Sequence, residues 1–307
     1  MNVASQVLVL TLLIIIGYIA RKVKAIDDAA VHHFSSFVLS ISLPALIVVS
    51  LQKPLSRELL GEAGIAFGLS LAVYAVSFGL AAFYPALIRA DRFERGVYRY
   101  AIVFSNVGFM GYPVVEVVLG SEALFYLAIY NIPFNFLAFS LGAWLVARDG
   151  KRPLSLGWRT FINPSVIATL VGILLFLLSI RLPGPLYATL KMTGDIMSPL
   201  SMIVIGAILA RMDIRKVVGS WRAYVTTLVR LIIFPALTGS LLFLLGFRGI
   251  MLALPALVVG MPIAANTSMM ASVYEGDVES ASAMVFISTL LCVITIPLIA
   301  LLITPFV

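Results

Sequence analysis

The stretch Ser105-Asn106-Val107-Gly108-Phe109-Met110-Gly111-Tyr112-Pro113 interrupts an apolar run that is otherwise long enough to cross a bilayer. Two glycines, an asparagine and a proline set so close together disfavour a continuous helix. A similar interruption recurs in Gly260-Met261-Pro262-Ile263-Ala264-Ala265-Asn266-Thr267. Backbone that leaves the helix at membrane depth survives only where protein or a watery cavity satisfies its freed N–H and C=O groups. Paired breaks in corresponding halves of a chain are the sequence mark of a carrier's binding site.

The composition around these breaks is that of a membrane protein. Of 307 residues, 62% are hydrophobic and 11% charged, and the mean hydropathy is +1.10. Soluble domains carry roughly 25% charged residues, so this chain lacks the surface to remain in water. The net charge of +7 is spread through short loops, which reads as topology signal and not as a nucleic-acid face. A single Cys292 excludes an intrachain disulfide, and no Cys/His spacing suggests a metal site. No basic region precedes the first apolar stretch and no cleavage site follows it, so it reads as a retained helix.

Ten segments are expected to span, near 4–20, 34–51, 61–87, 100–119, 123–147, 161–180, 186–210, 223–245, 250–274 and 279–303. The connections after the odd-numbered segments hold fifteen lysines and arginines, and the alternate ones hold five: Lys53, Arg57, Arg181, Lys191 and Arg248. This bias puts the odd connections in the cytoplasm and both termini outside, with the inner cell membrane as the site of residence. Trp144, Trp158 and Trp221 fall beside the basic connections, as interfacial indoles do. Five spans followed by five make the second half enter from the opposite side. The expected fold is therefore an all-α integral membrane protein of two inverted five-helix repeats, 1–147 and 161–307, with 148–160 as a cytoplasmic connector. Helices four and nine are broken and meet near the midplane. Ser42-Leu43-Pro44-Ala45-Leu46 and Ser198-Pro199-Leu200 are weak internal echoes of this symmetry.

Several motifs then carry a resemblance. They are Asn163-Pro164 with Ile167-Ala168 and Gly172, and Ser198-Pro199-Leu200 leading to Ile205-Gly206-Ala207. Asn106 with Met110-Gly111-Tyr112-Pro113, then Pro262, and finally Arg230 with Pro235 complete the set. In this order and spacing the whole chain resembles the auxin efflux carrier family, which includes the plant PIN transporters and prokaryotic carriers of malate or malonate. The resemblance implies ten helices in a fold like that of bile acid–sodium symporters. It also implies organic-anion transport, an elevator-like motion of a crossover bundle, and a homodimer. The long central loop of the large plant members is lacking here.

At the two breaks, Asn106, Gly108, Gly111, Tyr112, Pro113, Pro262, Asn266 and Thr267 are the candidate substrate-binding residues. The asparagine amides offer donors and an acceptor, and capping of the broken helices competes with binding as their role. Arg230 lies eight residues past Arg222, roughly 12 Å into the membrane at helical rise. A guanidinium there costs about 2.5–3.5 kcal/mol on insertion scales, so it reads as a support, clamping the carbonyls of a broken helix, with direct substrate contact as the alternative. Glu116, one turn past Pro113, and Asp195, four residues past Lys191, are candidate coupling or support groups. Coupling, if present, uses a proton or sodium, with Glu116 the reason to lean to a proton. Gly64 and Gly68 match a small-xxx-small pattern and read as internal packing. His32 and His33 read as solvated.

The sequence holds no Walker A, dinucleotide, HExxH or GxSxG motif, and Gly194-Asp195 has no second buried aspartate to complete a protease dyad. An intramembrane enzyme and an ion channel are therefore disfavoured. The function expected is secondary active transport of small organic anions, with a sodium-coupled bile-acid-like symporter as the alternative. The partners are that anion, the lipid bilayer and a second copy, with no cofactor and no nucleic acid. The loop bias yields a test of topology. Cysteines introduced at Lys151 and Lys216 are expected to be shielded from impermeant reagents in intact cells, whereas one at Glu122 labels. Labelling of position 151 from outside would overturn the orientation.

Overall fold

The computed structural model describes residues 3–154, 163–211 and 220–303, and their regular structure is helical apart from one antiparallel bridge. Trp158, Arg159, Arg215, Lys216 and the second half of the expected connector lie outside the described residues. The first half holds α1 (Val3–Lys22), α2 (Asp28–Phe37), α3 (Leu43–Ser50), α4 (Arg57–Leu87), α5 (Arg95–Val103), α6 (Tyr112–Leu119), α7 (Ala123–Tyr130), α8 (Ile132–Leu137) and α9 (Ala143–Asp149). The second holds α10 (Pro164–Leu177), α11 (Gly184–Asp195), α12 (Met197–Arg211), α13 (Trp221–Leu228), α14 (Phe234–Leu244), α15 (Ile250–Val259), α16 (Asn266–Val273) and α17 (Val278–Ile303). Many of these run on into one another. Six continuous stretches are long and apolar enough to cross a membrane: Asp28–Ser50, Arg57–Leu87, Ala123–Asp149, Gly184–Arg211, Trp221–Leu244 and Val278–Ile303. This is an all-helical, multi-pass membrane protein.

Several helices begin where the sequence supplies an acceptor for their free N–H groups. Asp27, Ser56 and Asn163 accept from Ala30, Leu59 and Val166 at 2.7, 3.0 and 3.0 Å. Prolines fall inside all six long stretches and inside the shorter Val107–Leu119, and at three of these prolines the helix widens. At each, a π-helical turn of five residues precedes the X-Pro pair: Val38–Ser42 before Leu43-Pro44, Val107–Gly111 before Tyr112-Pro113, and Val229–Ile233 before Phe234-Pro235. The residue ahead of the proline donates to the valine carbonyl five positions back in all three. The wider turn makes room for a ring that would clash with an ordinary α-helical carbonyl and cannot donate to it.

Two segments leave the helix altogether, 104–106 and 260–265. The second lies where the sequence places it. The first corrects the expectation that the interruption runs through the glycines to Pro113. Gly108 and Gly111 lie inside the π turn, and Pro113 follows it in the same helical stretch, where the widened turn accommodates the ring. Asn106 caps this helix, so the chain unwinds before the glycines and not at them.

Elsewhere glycine sets how closely helices approach. α1 lies along α12. A Cβ added at Gly206 would stand 1.9 Å from the Ile14 carbonyl oxygen, and one at Gly17 would stand 2.0 Å from that of Ile203. The backbones of α1 and α12 therefore touch at these points. Gly64 and Gly68 do the opposite. Both are exposed, with nothing within 4 Å of an added Cβ, so they face outward from α4 and do not pack internally. Gly206→Val is expected to lower stability in detergent by about 1–3 kcal/mol or more through overpacking. Gly64→Ala is expected to stay within about 0.5 kcal/mol of the parent. Thermal midpoints of the purified variants decide, and an unmoved midpoint for Gly206→Val would mean that α1 and α12 do not touch.

Candidate functional site

The two unwound segments meet in the core. Ser105 and Ile263 form the antiparallel bridge, in which the Asn106 N–H donates to the Pro262 carbonyl at 2.8 Å and the Ala264 N–H to that of Phe104 at 3.1 Å. The Ile263 N–H donates to Ser288 Oγ on α17 at 3.0 Å. Arg230, 1% exposed, satisfies what the end of α5 leaves over. Its Nη1 donates to the Ile102 carbonyl at 2.9 Å and its Nη2 to Ser105 Oγ. The guanidinium also lies 5.8 Å from the Phe234 ring centroid. The sequence reading of Arg230 as a carbonyl clamp holds, and the side chain reaches across from the π turn between α13 and α14.

A cavity of about 210 Å³ opens beside this bridge, lined in part by Ser105, Asn106, Gly108, Asn131, Asn135, Asn163, Ser165 and Asn266. The chain contains six asparagines, and five of them are here. Three helix N-termini converge on the same space: Val107–Leu119, capped by Asn106; α10, capped by Asn163; and α16, opened by Asn266. Each presents the positive end of a helix dipole and N–H groups without an intrahelical partner. Among the described residues, no lysine, arginine, aspartate or glutamate lines the cavity. Asn106 accepts from the Phe109 N–H at 3.3 Å, and Asn135 donates to the Asn131 carbonyl at 3.2 Å. The buried Asn131 Oδ1 has no hydrogen-bond partner among the described residues. The walls from Leu39, Phe109, Phe134 and Phe139 are apolar. Chemically this is a small chamber with abundant neutral donors, a positive electrostatic bias from backbone, and greasy sides.

Of the residues expected at the site, Asn106, Gly108 and Asn266 line the chamber. Gly111, Tyr112, Pro113, Pro262 and Thr267 do not. Tyr112 is fully buried and does not line the chamber. Pro262 contributes its carbonyl to the bridge, and Thr267 is buried inside α16. Glu116 points elsewhere and accepts a hydrogen bond from Ser198 on α12 at 2.5 Å. It stands ten residues past Asn106 on the same helical stretch, roughly 15 Å away along the axis. Asp195 is half-exposed and paired with Lys191 at 2.8 Å. Sequence reasoning missed Asn131, Asn135 and Asn163 as chamber residues. Their signal was legible, because an asparagine inside an apolar span needs a reason to be there.

Comparison with known proteins agrees in kind. Residues 2–300 match the family described as membrane transport protein. The chain belongs to that family. It is 26% identical over 306 residues to an uncharacterized transporter of Methanothermobacter thermautotrophicus, covering 97% of each chain. It is 24% identical over 294 residues to a Rhizobium meliloti protein named "Putative malonate transporter", covering 92% of this chain and 90% of that one. An uncharacterized transporter of Methanocaldococcus jannaschii is 23% identical over 300 residues, covering 95% of this chain and 96% of its own length. The resemblance drawn from the motifs thus holds at the level of the family, and the protein is a membrane transporter and not an enzyme.

The clamp can be tested directly. Arg230→Lys keeps the charge, but one ammonium cannot reproduce a planar fork aimed at two acceptors. The expected loss is about 1.5–3 kcal/mol, seen as a lower thermal midpoint in detergent. A variant as stable as the parent would show that the fork is not what holds the first break.

Proposed function

We propose that this member of the membrane transport protein family is a secondary active transporter of small organic anions, of the malate, malonate or auxin-like kind, working without ATP. The observation that carries this reading is the chamber of five asparagines on which three helix N-termini converge, with no charged side chain among the described residues of its lining. A carboxylate placed there meets donors and positive dipole ends from several directions. A lysine or arginine in the lining would bind it more tightly and release it more slowly.

In this reading the chain crosses the membrane ten times as two inverted five-helix repeats, 1–147 and 161–307, with 148–160 between them in the cytoplasm. Both termini face out of the cell, the protein resides in the inner membrane, and two copies pair. The bundle built on the two breaks moves as a body and carries the chamber from one side to the other. Supporting the two-half arrangement, each half contributes one interrupted helix to the bridge at Ser105 and Ile263.

The lean toward proton coupling rested on Glu116, which bonds Ser198 and stands away from the chamber. Neutral oxygens suit sodium better than a proton. A sodium gradient imposed on proteoliposomes is therefore expected to drive accumulation more strongly than a pH gradient, and accumulation driven by pH alone would reverse this assignment.

The site itself is tested by anion binding to purified, monodisperse variants. Removing a hydrogen bond to a charged group costs about 1.5–3 kcal/mol. Asn106→Ala and Asn266→Ala are expected to weaken binding roughly ten- to a hundredfold while the protein stays folded. The neutral amide of the best ligand serves as control. Equal affinity for acid and amide, or unaltered binding in both variants, would place the site elsewhere.

A further inference from the structure

Apart from the chamber, α14, α15 and α17 and the π turn before α14 line a groove of about 650 Å³. It runs along α14 from Leu231 to Leu244, with Ala256 on α15 and Leu302 on α17 as opposite walls. Thirteen helical steps make it about 20 Å long, the roughly 15 Å of one hydrocarbon leaflet with part of the headgroup layer added. Ser240 and Thr295 are its polar side chains among the described residues; the rest of the lining is apolar.

The mouth at the Leu244 end carries Arg248. Its Nη1 donates to the Phe243 and Phe247 carbonyls at 2.9 and 2.6 Å, and its guanidinium lies 3.9 Å from the ring centroid of Phe243, a groove residue. The side chain is exposed yet held in place. Ion pairs among the described residues engage Arg21, Lys53, Arg99, Lys191, Arg211 and Arg222, but none engages Arg248. A fixed cation without a carboxylate, at the open end of an apolar channel one leaflet deep, complements an anionic headgroup joined to an acyl chain.

We propose that this groove holds one anionic phospholipid, its phosphate on Arg248 and an acyl chain running towards Leu231. Leu231 adjoins Arg230, so the tail of the chain abuts the π turn that carries the clamp on the first break.

The test is native mass spectrometry of the full chain after reconstitution in equal parts phosphatidylglycerol and phosphatidylcholine. It is paired with crosslinking by a phosphatidylglycerol bearing a diazirine at the acyl terminus. Expected are one retained phosphatidylglycerol per protein and crosslinks on α14 and α17. Arg248→Gln is expected to lower retention about tenfold or more. Ala236→Phe, which fills the groove from an exposed position, is expected to abolish the crosslinks with Arg248 intact. Equal retention of phosphatidylcholine, or unchanged retention and crosslinking in both variants, would overturn the proposal. So would disulfide-linked dimers formed through Leu302→Cys, since a second copy would then occupy the groove.

Discussion

A peptide group that leaves a helix inside a bilayer has no water to turn to, and every such group must find a partner in the protein. That constraint organises this molecule. The breaks at 104–106 and 260–265 answer each other's backbone through the bridge at Ser105 and Ile263. Ser288 takes the Ile263 N–H and Arg230 takes the Ile102 carbonyl. Placing a guanidinium at this depth costs about 2.5–3.5 kcal/mol on insertion scales. Its charge-assisted hydrogen bonds offset that cost, at about 1.5–3 kcal/mol each. The close contacts of α1 with α12 and the stacked helices around the core hold these partners in register.

Once the breaks are satisfied, the chamber follows from where the helices restart. A helix that begins in the membrane must have its first N–H groups faced by something. Here three beginnings share one small space walled by amides. The electrostatic bias therefore comes from backbone, which cannot titrate. Among the described residues of the lining no side chain titrates.

Much of this was legible in the sequence. The second break was legible from its residues, whereas residue chemistry left Asn106 between capping and binding and Arg230 between a carbonyl clamp and substrate contact. The first break was placed a few residues late. Glycine and proline were read as helix breakers, whereas a π turn absorbs both when the proline falls early in the next helix. A repeated pattern held the clue: Val38, Val107 and Val229 each stand five residues ahead of the residue preceding a proline. Gly64 and Gly68 misled for another reason, since spacing on a helix cannot say which side of it meets protein. Asn131 stands at the joint between α7 and α8, just ahead of Pro133, and Asn135 lies inside α8; the packing of these helices brings both to the chamber.

The bridge has a consequence for how the protein is made. Its two strands are separated by more than half of the chain. As the ribosome delivers helices in order, the first interrupted helix enters the membrane long before its partner exists. Until then Phe104, Ser105 and Asn106 sit in lipid or beside the insertion machinery with their backbone unanswered. The early half must wait in an incomplete state, and final closure is a long-range event that comes late. Truncated or stalled chains would expose that open junction, which makes it the natural mark by which quality control could tell an unfinished copy from a finished one.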